Sequence, residues 1–138
     1  MTPQSYDGFT AAERGAMKER AKELKATAEG DAAVREKIAE LDGPDRATAE
    51  RLHEVVLAAA PQLTPRLYYG MPAWGSDGRV VCFFQPAAKF KARYPTFGFQ
   101  DVAQLDDGAI WPVSFAVSEL TPAVEQQIAE LVRKAVSA

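Results

Sequence analysis

Histidine and cysteine are almost missing from this chain of 138 residues, which holds one of each, His53 and Cys82. A lone cysteine cannot close an internal disulfide. A lone histidine cannot build a histidine-rich metal site, and any Ser-His-Asp or Cys-His pair would have to use it. No apolar run approaches the roughly 20 residues of a membrane span. There is no glycine-rich phosphate loop, no CxxC and no HExxH. The opening residues, MTPQSYDGFTAAERG, lack both the basic and the apolar regions of a secretory signal. Cytoplasmic residence without a membrane partner is the expectation. A basic excess is missing too: 16 Lys and Arg stand against 19 Asp and Glu, net −3, which argues against nucleic acid as a partner.

What is present is ordinary globular material, 47% hydrophobic and 25% charged, at a length that suits one domain. Its two halves differ. Residues 1–60 carry 9 basic and 12 acidic side chains, and residues 61–138 carry 7 of each. Eleven of the thirteen aromatics fall in the second half, all but Tyr6 and Phe9.

The first half has helical periodicity. Thr10 with Glu13 makes a capping-box pattern, predicting a helix over 11–28 with a narrow apolar stripe of Met17, Ala21, Leu24 and Ala28. Gly30 is expected to end it, and Asp31 to cap a short helix carrying Val34, Ile38 and Leu41. Asp42-Gly43-Pro44 reads as a break. A third helix is expected over 45–60, burying Leu52, Val55, Val56 and Ala59, with Pro61 as its stop.

The second half changes period. Strands are expected over 67–74, 79–85, 89–99 and 110–117. Asp77-Gly78 supplies the tight turn between the first two. Lys89, Lys91 and Arg93 alternate with Phe90, Ala92 and Tyr94, and a parity change after Pro95 predicts a bulge there. Thr121 and Pro122 open a C-terminal helix whose inner face is Val124, Ile128, Leu131, Val132 and Ala135. The whole reads as an α+β fold, a four-stranded antiparallel meander covered on one face by helices.

The stretch Tyr68-Tyr69-Gly70-Met71-Pro72-Ala73-Trp74 is the least ordinary part. Gly70 takes backbone angles closed to other residues, and Pro72 cannot donate to a sheet ladder. Together they predict a strand that bends at an edge of the sheet and leaves a concavity lined by Tyr69, Met71 and Trp74, with Phe84 behind. Simple closure of the core at a sheet corner is the plainer reading. Lys89, Lys91 and Arg93 add anion-binding charge in the first case and a solvated strand face in the second. His53, beside Leu52, reads as a helix-surface or half-buried structural histidine, and Cys82 as a small hydrophobe within Val80–Phe84. Glu19 with Glu23, and Glu36 with Glu40, share helix faces. Such oxygen pairs suit hard cations, though lysines or arginines lie within reach of each.

YYGMPAW, then GRVVCFF, the lysine-rich stretch and TFGF together resemble the YdhG-like domain family, a widespread bacterial family of largely unassigned function. The resemblance covers roughly residues 45–138 and leaves 1–44 as a helical extension. It implies an α+β fold comparable with frataxin, and for one branch an iron-chaperone role. No iron ligand carries over by position. Where the family has a compact K-x-H-I-x-F segment, this chain has the longer, histidine-free KFKARYPTFGF.

The expectation is therefore a binding domain without catalytic residues. It would take a small molecule or anion at Tyr69, Gly70, Met71, Pro72, Trp74, Phe84, Lys91 and Arg93. Iron chaperoning and protein–protein interaction are the alternatives.

Overall fold

The computed structural model describes residues 10–137. Tyr6, Phe9 and the rest of the opening stretch lie outside the described residues. The elements are α1 (Ala11–Ala39), α2 (Gly43–Ala59), β1 (Thr64–Tyr68), β2 (Met71–Ser76), β3 (Arg79–Gln85), β4 (Thr96–Phe99), β5 (Ser114–Ala116) and α3 (Pro122–Val136).

The capping box opens α1 as expected. Thr10 Oγ1 accepts from the Glu13 N–H, and the Glu13 carboxylate accepts from the Thr10 N–H, each at 3.0 Å. The helix does not stop at Gly30, however. It runs on for 29 residues, so the two helices expected over this stretch are one. Gly30 has a different task. A Cβ there would overlap the carbonyl oxygen of Pro65, so the missing side chain lets α1 lie directly against β1. The second part of α1 contributes Val34 and Ile38, both buried in the common core.

The second helix, α2, starts two residues before the expected position, with Pro44 in its first turn. Asp45 then points its carboxylate at the chain leaving β3. It accepts from the N–H groups of Ala87 at 3.3 Å and Ala88 at 2.9 Å, and is itself 8% exposed. Removing that acceptor strands two backbone donors. Asp45→Ala is expected to destabilise by about 1–3 kcal/mol, with Asp45→Asn between it and the wild type, as read by denaturant titration.

Five strands form one antiparallel sheet in chain order, one more than expected. The extra strand arises because residues 67–74 are not one bent ribbon. Tyr69-Gly70 reverses the chain, and Tyr68 pairs with Met71, Leu67 with Pro72. In such a hairpin the pair flanking the turn exchanges hydrogen bonds and the next pair does not. Pro72 therefore needs no N–H toward β1, and the β2–β3 ladder begins beyond it at Ala73↔Phe83. This overturns the expectation that Pro72 marks an edge: β2 is an inner strand.

The expected strand over 89–99 survives only as Thr96–Phe99. Pro86 ends β3, Asp45 holds the next two N–H groups, and the Ala92 N–H donates to the Ala87 carbonyl at 2.8 Å. The chain turns here, and Lys91 has φ +53°. Lys89, Lys91 and Arg93 thus lie along a loop and not on one strand face. The register shift expected at Pro95 occurs instead between Trp74 and Gly75. The last strand is shortened to Ser114–Ala116, leaving Ile110 88% exposed. The third helix, α3, begins as expected, with Thr121 Oγ1 accepting from the Val124 N–H at 3.2 Å. Arg51 of α2 grips Glu125 of α3 through two hydrogen bonds of 2.9 and 2.8 Å.

Cross-strand pairing puts Trp74, Cys82, Phe84, Phe97, Phe99 and Phe115 on one face. All three helices pack onto that face around Val34, Leu52, Val56, Ile128 and Val132. The coarse expectation, helices over an antiparallel meander, holds.

Candidate functional site

The tip of the β1–β2 hairpin gathers the exposed members of the unusual stretch. A two-residue reversal of this kind needs positive φ at both positions, and here they are Tyr69 at +50° and Gly70 at +77°. Glycine accepts this freely, whereas tyrosine at positive φ is a strained choice. At the tip of the turn Tyr69 is 82% exposed. Behind it stands Tyr68, with ring centroids 4.7 Å apart in an edge arrangement, and Phe83 lies 5.4 Å from Tyr68. Phe83 lies across Gly98, where an added Cβ would meet its ring at 2.5 Å. The three rings therefore form a continuous aromatic step on the face away from the helices.

Cations reach the same tip. Lys89 Nζ donates to the Gly70 carbonyl at 3.2 Å. Lys89 Nζ and Lys37 Cε both come within 4 Å of the space a Gly70 side chain would occupy. The ammonium of Lys89 also stands 5.8 Å from the Phe90 ring centre. Lys91 and Arg93 continue along the exposed loop, Arg93 over the ring of Tyr94 at 5.0 Å. Lys37 is the cation at this place that the sequence does not point to, whereas Lys89 belongs to the basic run expected to offer anion-binding charge. Lys37 sits on α1, more than 30 positions before Gly70, and nothing in the intervening residues signals the approach.

The remaining expected site residues are not at the tip surface. Met71 is 6% exposed, and Pro72, Trp74 and Phe84 are closed off from solvent. The structure thus brings Tyr69, Gly70 and the basic loop together, and leaves Trp74 and Phe84 in the core. Three surface hollows, of about 480, 500 and 390 Å³, lie elsewhere. They sit between β5 and α3, between α2 and α3, and around Leu63 and Val102.

Trp74 takes part in a polar chain instead. Its indole N–H donates to His53 Nδ1 at 3.1 Å, and His53 Nε2 meets the Asp31 carboxylate at 2.6 Å. An indole N–H only donates, so Nδ1 must accept, and the proton of the neutral ring sits on Nε2, facing Asp31. His53 is 1% exposed, so the expectation of a surface or half-buried position is corrected to full burial. Asp31, expected as a helix cap, is the mid-helix anchor of this chain and also binds Arg35 Nε at 2.8 Å. No sequence signal joins these three residues, which come from two helices and a strand.

The Asp31 carboxyl is partly desolvated, which alone raises its pKa. Hydrogen bonds from Arg35 and His53 outweigh that, holding it below its ordinary 3.8. A carboxyl with a depressed folded pKa contributes stability above its unfolded value and loses it as pH falls through the folded one. The melting-temperature gap between wild type and Asp31→Asn is therefore expected to be full above about pH 5. It should close below 3.8, as thermal melts across that range will show. Burial alone pushes the Cys82 thiol pKa up, the reverse of what a nucleophile needs.

No protein-family model, curated protein or solved structure matches this chain. Among the described residues, no three His, Cys, Asp or Glu side chains come together as a metal group. Glu19, Glu23 and Glu36 lie exposed on α1 and Glu40 at its C-cap, Glu40 beside Lys37 at 3.5 Å. Among the described residues no helix is long and apolar enough to cross a membrane.

Proposed function

We propose that this chain is a non-catalytic binding domain, and that its ligand is a small organic anion with a flat ring, docked at the β1–β2 hairpin tip. One observation carries the reading: a tyrosine held in strained backbone, 82% exposed, next to a lysine ammonium fixed at the neighbouring carbonyl. Strained backbone persists where the surrounding structure over-determines it, and such positions cluster at functional sites. Tyr69 and Tyr68 offer ring faces for stacking. Lys89 and Lys37 supply charge, with Lys91 and Arg93 at the outer rim. The YdhG-like resemblance belongs to the same proposal, which takes Tyr69 and Gly70 of its YGMP motif as the ligand-facing residues.

Thermal shift against a panel of aromatic carboxylates, nucleotides and pyrophosphate tests the reading. A true ligand at 100 times Kd adds about 2.7 kcal/mol. Tyr69→Gly is the decisive variant. It relieves the positive-φ strain, so the fold should be at least as stable, while ring-dependent binding should fall about tenfold or more. A panel without a single shift, or a ligand that Tyr69→Gly and Lys89→Ala bind as well as wild type does, sinks the proposal.

A further inference from the structure

The first part of α1 stands away from the body. Every residue from Ala11 to Ala26 is exposed, and among the described residues of the helix burial begins at Thr27. At 1.5 Å per residue the free part is about 24 Å long. It nevertheless carries two large apolar side chains in the open, Met17 at 51% and Leu24 at 55% exposure. We propose that this free part of α1 is a docking surface for an acidic amphipathic helix of another protein.

Spacing supplies the seam. Met17, Ala21, Leu24 and Ala28 recur at intervals of four, three and four, the repeat of a helix-pairing stripe with its two large residues one heptad apart. The small alanines between them allow a close approach. Charge supplies the partner. Lys18 and Lys25 border the seam on one side and Arg20 on the other. Among the described residues Lys25 pairs with an exposed Glu29 at 3.9 Å. Glu13, an acid beside the seam, is bound into the N-terminal cap by Thr10. Glu19 and Glu23 fall away from the seam.

The same charges oppose pairing with a second copy. Aligned in parallel, Arg20 of one copy faces Lys25 of the other, and antiparallel, Lys18 faces Lys25. Like charges at flanking positions select against a partner, and here that partner is self. Two large apolar residues are also too few for firm membrane insertion, which scales with buried apolar area. A helix with an apolar stripe and glutamate on both borders satisfies the seam and the flanks together. A free helical stretch of this length is marginal alone, so docking would also stabilise it.

The full-length protein can be titrated with a fluorescent amphipathic helical peptide bearing leucine at the seam and glutamate at the flanks. A twin peptide with lysine flanks is the comparison, and anisotropy is the readout. The glutamate peptide should bind saturably, and the lysine peptide about tenfold or more weaker. Raising salt from low to about 0.5 M should weaken the complex. Met17→Glu with Leu24→Glu, at exposed positions that leave the core intact, should abolish it. Lys18→Glu with Lys25→Glu should turn the preference toward the lysine peptide. The proposal is overturned if neither peptide binds, if both bind equally, or if the Met17/Leu24 variant binds as wild type does. It is overturned equally by tighter binding to phosphatidylserine vesicles than to the glutamate peptide, or by self-association that the Met17/Leu24 variant removes.

Discussion

Alanine at Gly30 is expected to destabilise the protein by about 3 kcal/mol. The same change at Gly15 of the same helix should raise its stability by up to about 1 kcal/mol. Intrinsic propensity favours alanine over glycine at both positions, because glycine loses more backbone entropy in a helix. The surroundings decide the sign. Nothing lies within 4 Å of a side chain added at Gly15, while one at Gly30 would overlap the Pro65 carbonyl oxygen. That oxygen belongs to backbone, so it cannot swing aside as a flexible side chain would. Relief requires α1 to lift from β1, disturbing the seating of Val34 and Ile38 in the core. Urea denaturation of the two variants against wild type measures both effects. Equal shifts in the same direction would show that Gly30 is not a close-approach position.

Trp74→Ala is expected to cost about 3–5 kcal/mol, the range for deleting a buried aromatic side chain. Two losses combine. The indole is fully buried, with its ring centre 6.3 Å from that of Phe97, so truncation leaves a cavity at the centre of the helix-covered face. Its N–H is also the donor to His53 Nδ1, and without it a buried acceptor has no partner. Trp74→Phe separates the two, keeping most of the ring volume while removing the donor, and should fall between wild type and alanine. Calorimetric melts give the order. A near-neutral Trp74→Ala would mean that the Asp31–His53–Trp74 chain is not a stabilising element. Trp74 variants therefore report on the core, and Tyr69 variants on the hairpin tip.

The contrast between Trp74 and Tyr69 marks where reading by residue type stops. Both belong to one seven-residue motif, and both are amphipathic aromatics suited to a ligand wall. Their fates separated because Tyr69-Gly70 reverses the chain, which put Tyr69 at a tip and Trp74 four residues deep in an inner strand. A tyrosine seldom occupies a positive-φ turn position, so the usual Asn-Gly or Asp-Gly signal was missing there, although Asp77-Gly78 displayed it openly. In the same way, Lys89-Phe90-Lys91-Ala92-Arg93 alternates as a strand would, yet Asp45, more than 40 positions earlier, holds Ala87 and Ala88 and turns the segment into a loop.

Local order was plain from the residues themselves: the Thr10–Glu13 cap, the Thr121-Pro122 helix start, the apolar stripes of α2 and α3, and β3 as an inner apolar strand. Each rests on groups within a few positions of one another, where spacing and side-chain chemistry act directly. Gly30 as a contact rather than a stop, His53 as the centre of a buried chain reaching 22 positions back to Asp31, and two lysines converging on Gly70 arose only through packing. Those depend on which distant surfaces meet, and a partner far along the chain leaves no periodic trace in the residues beside it.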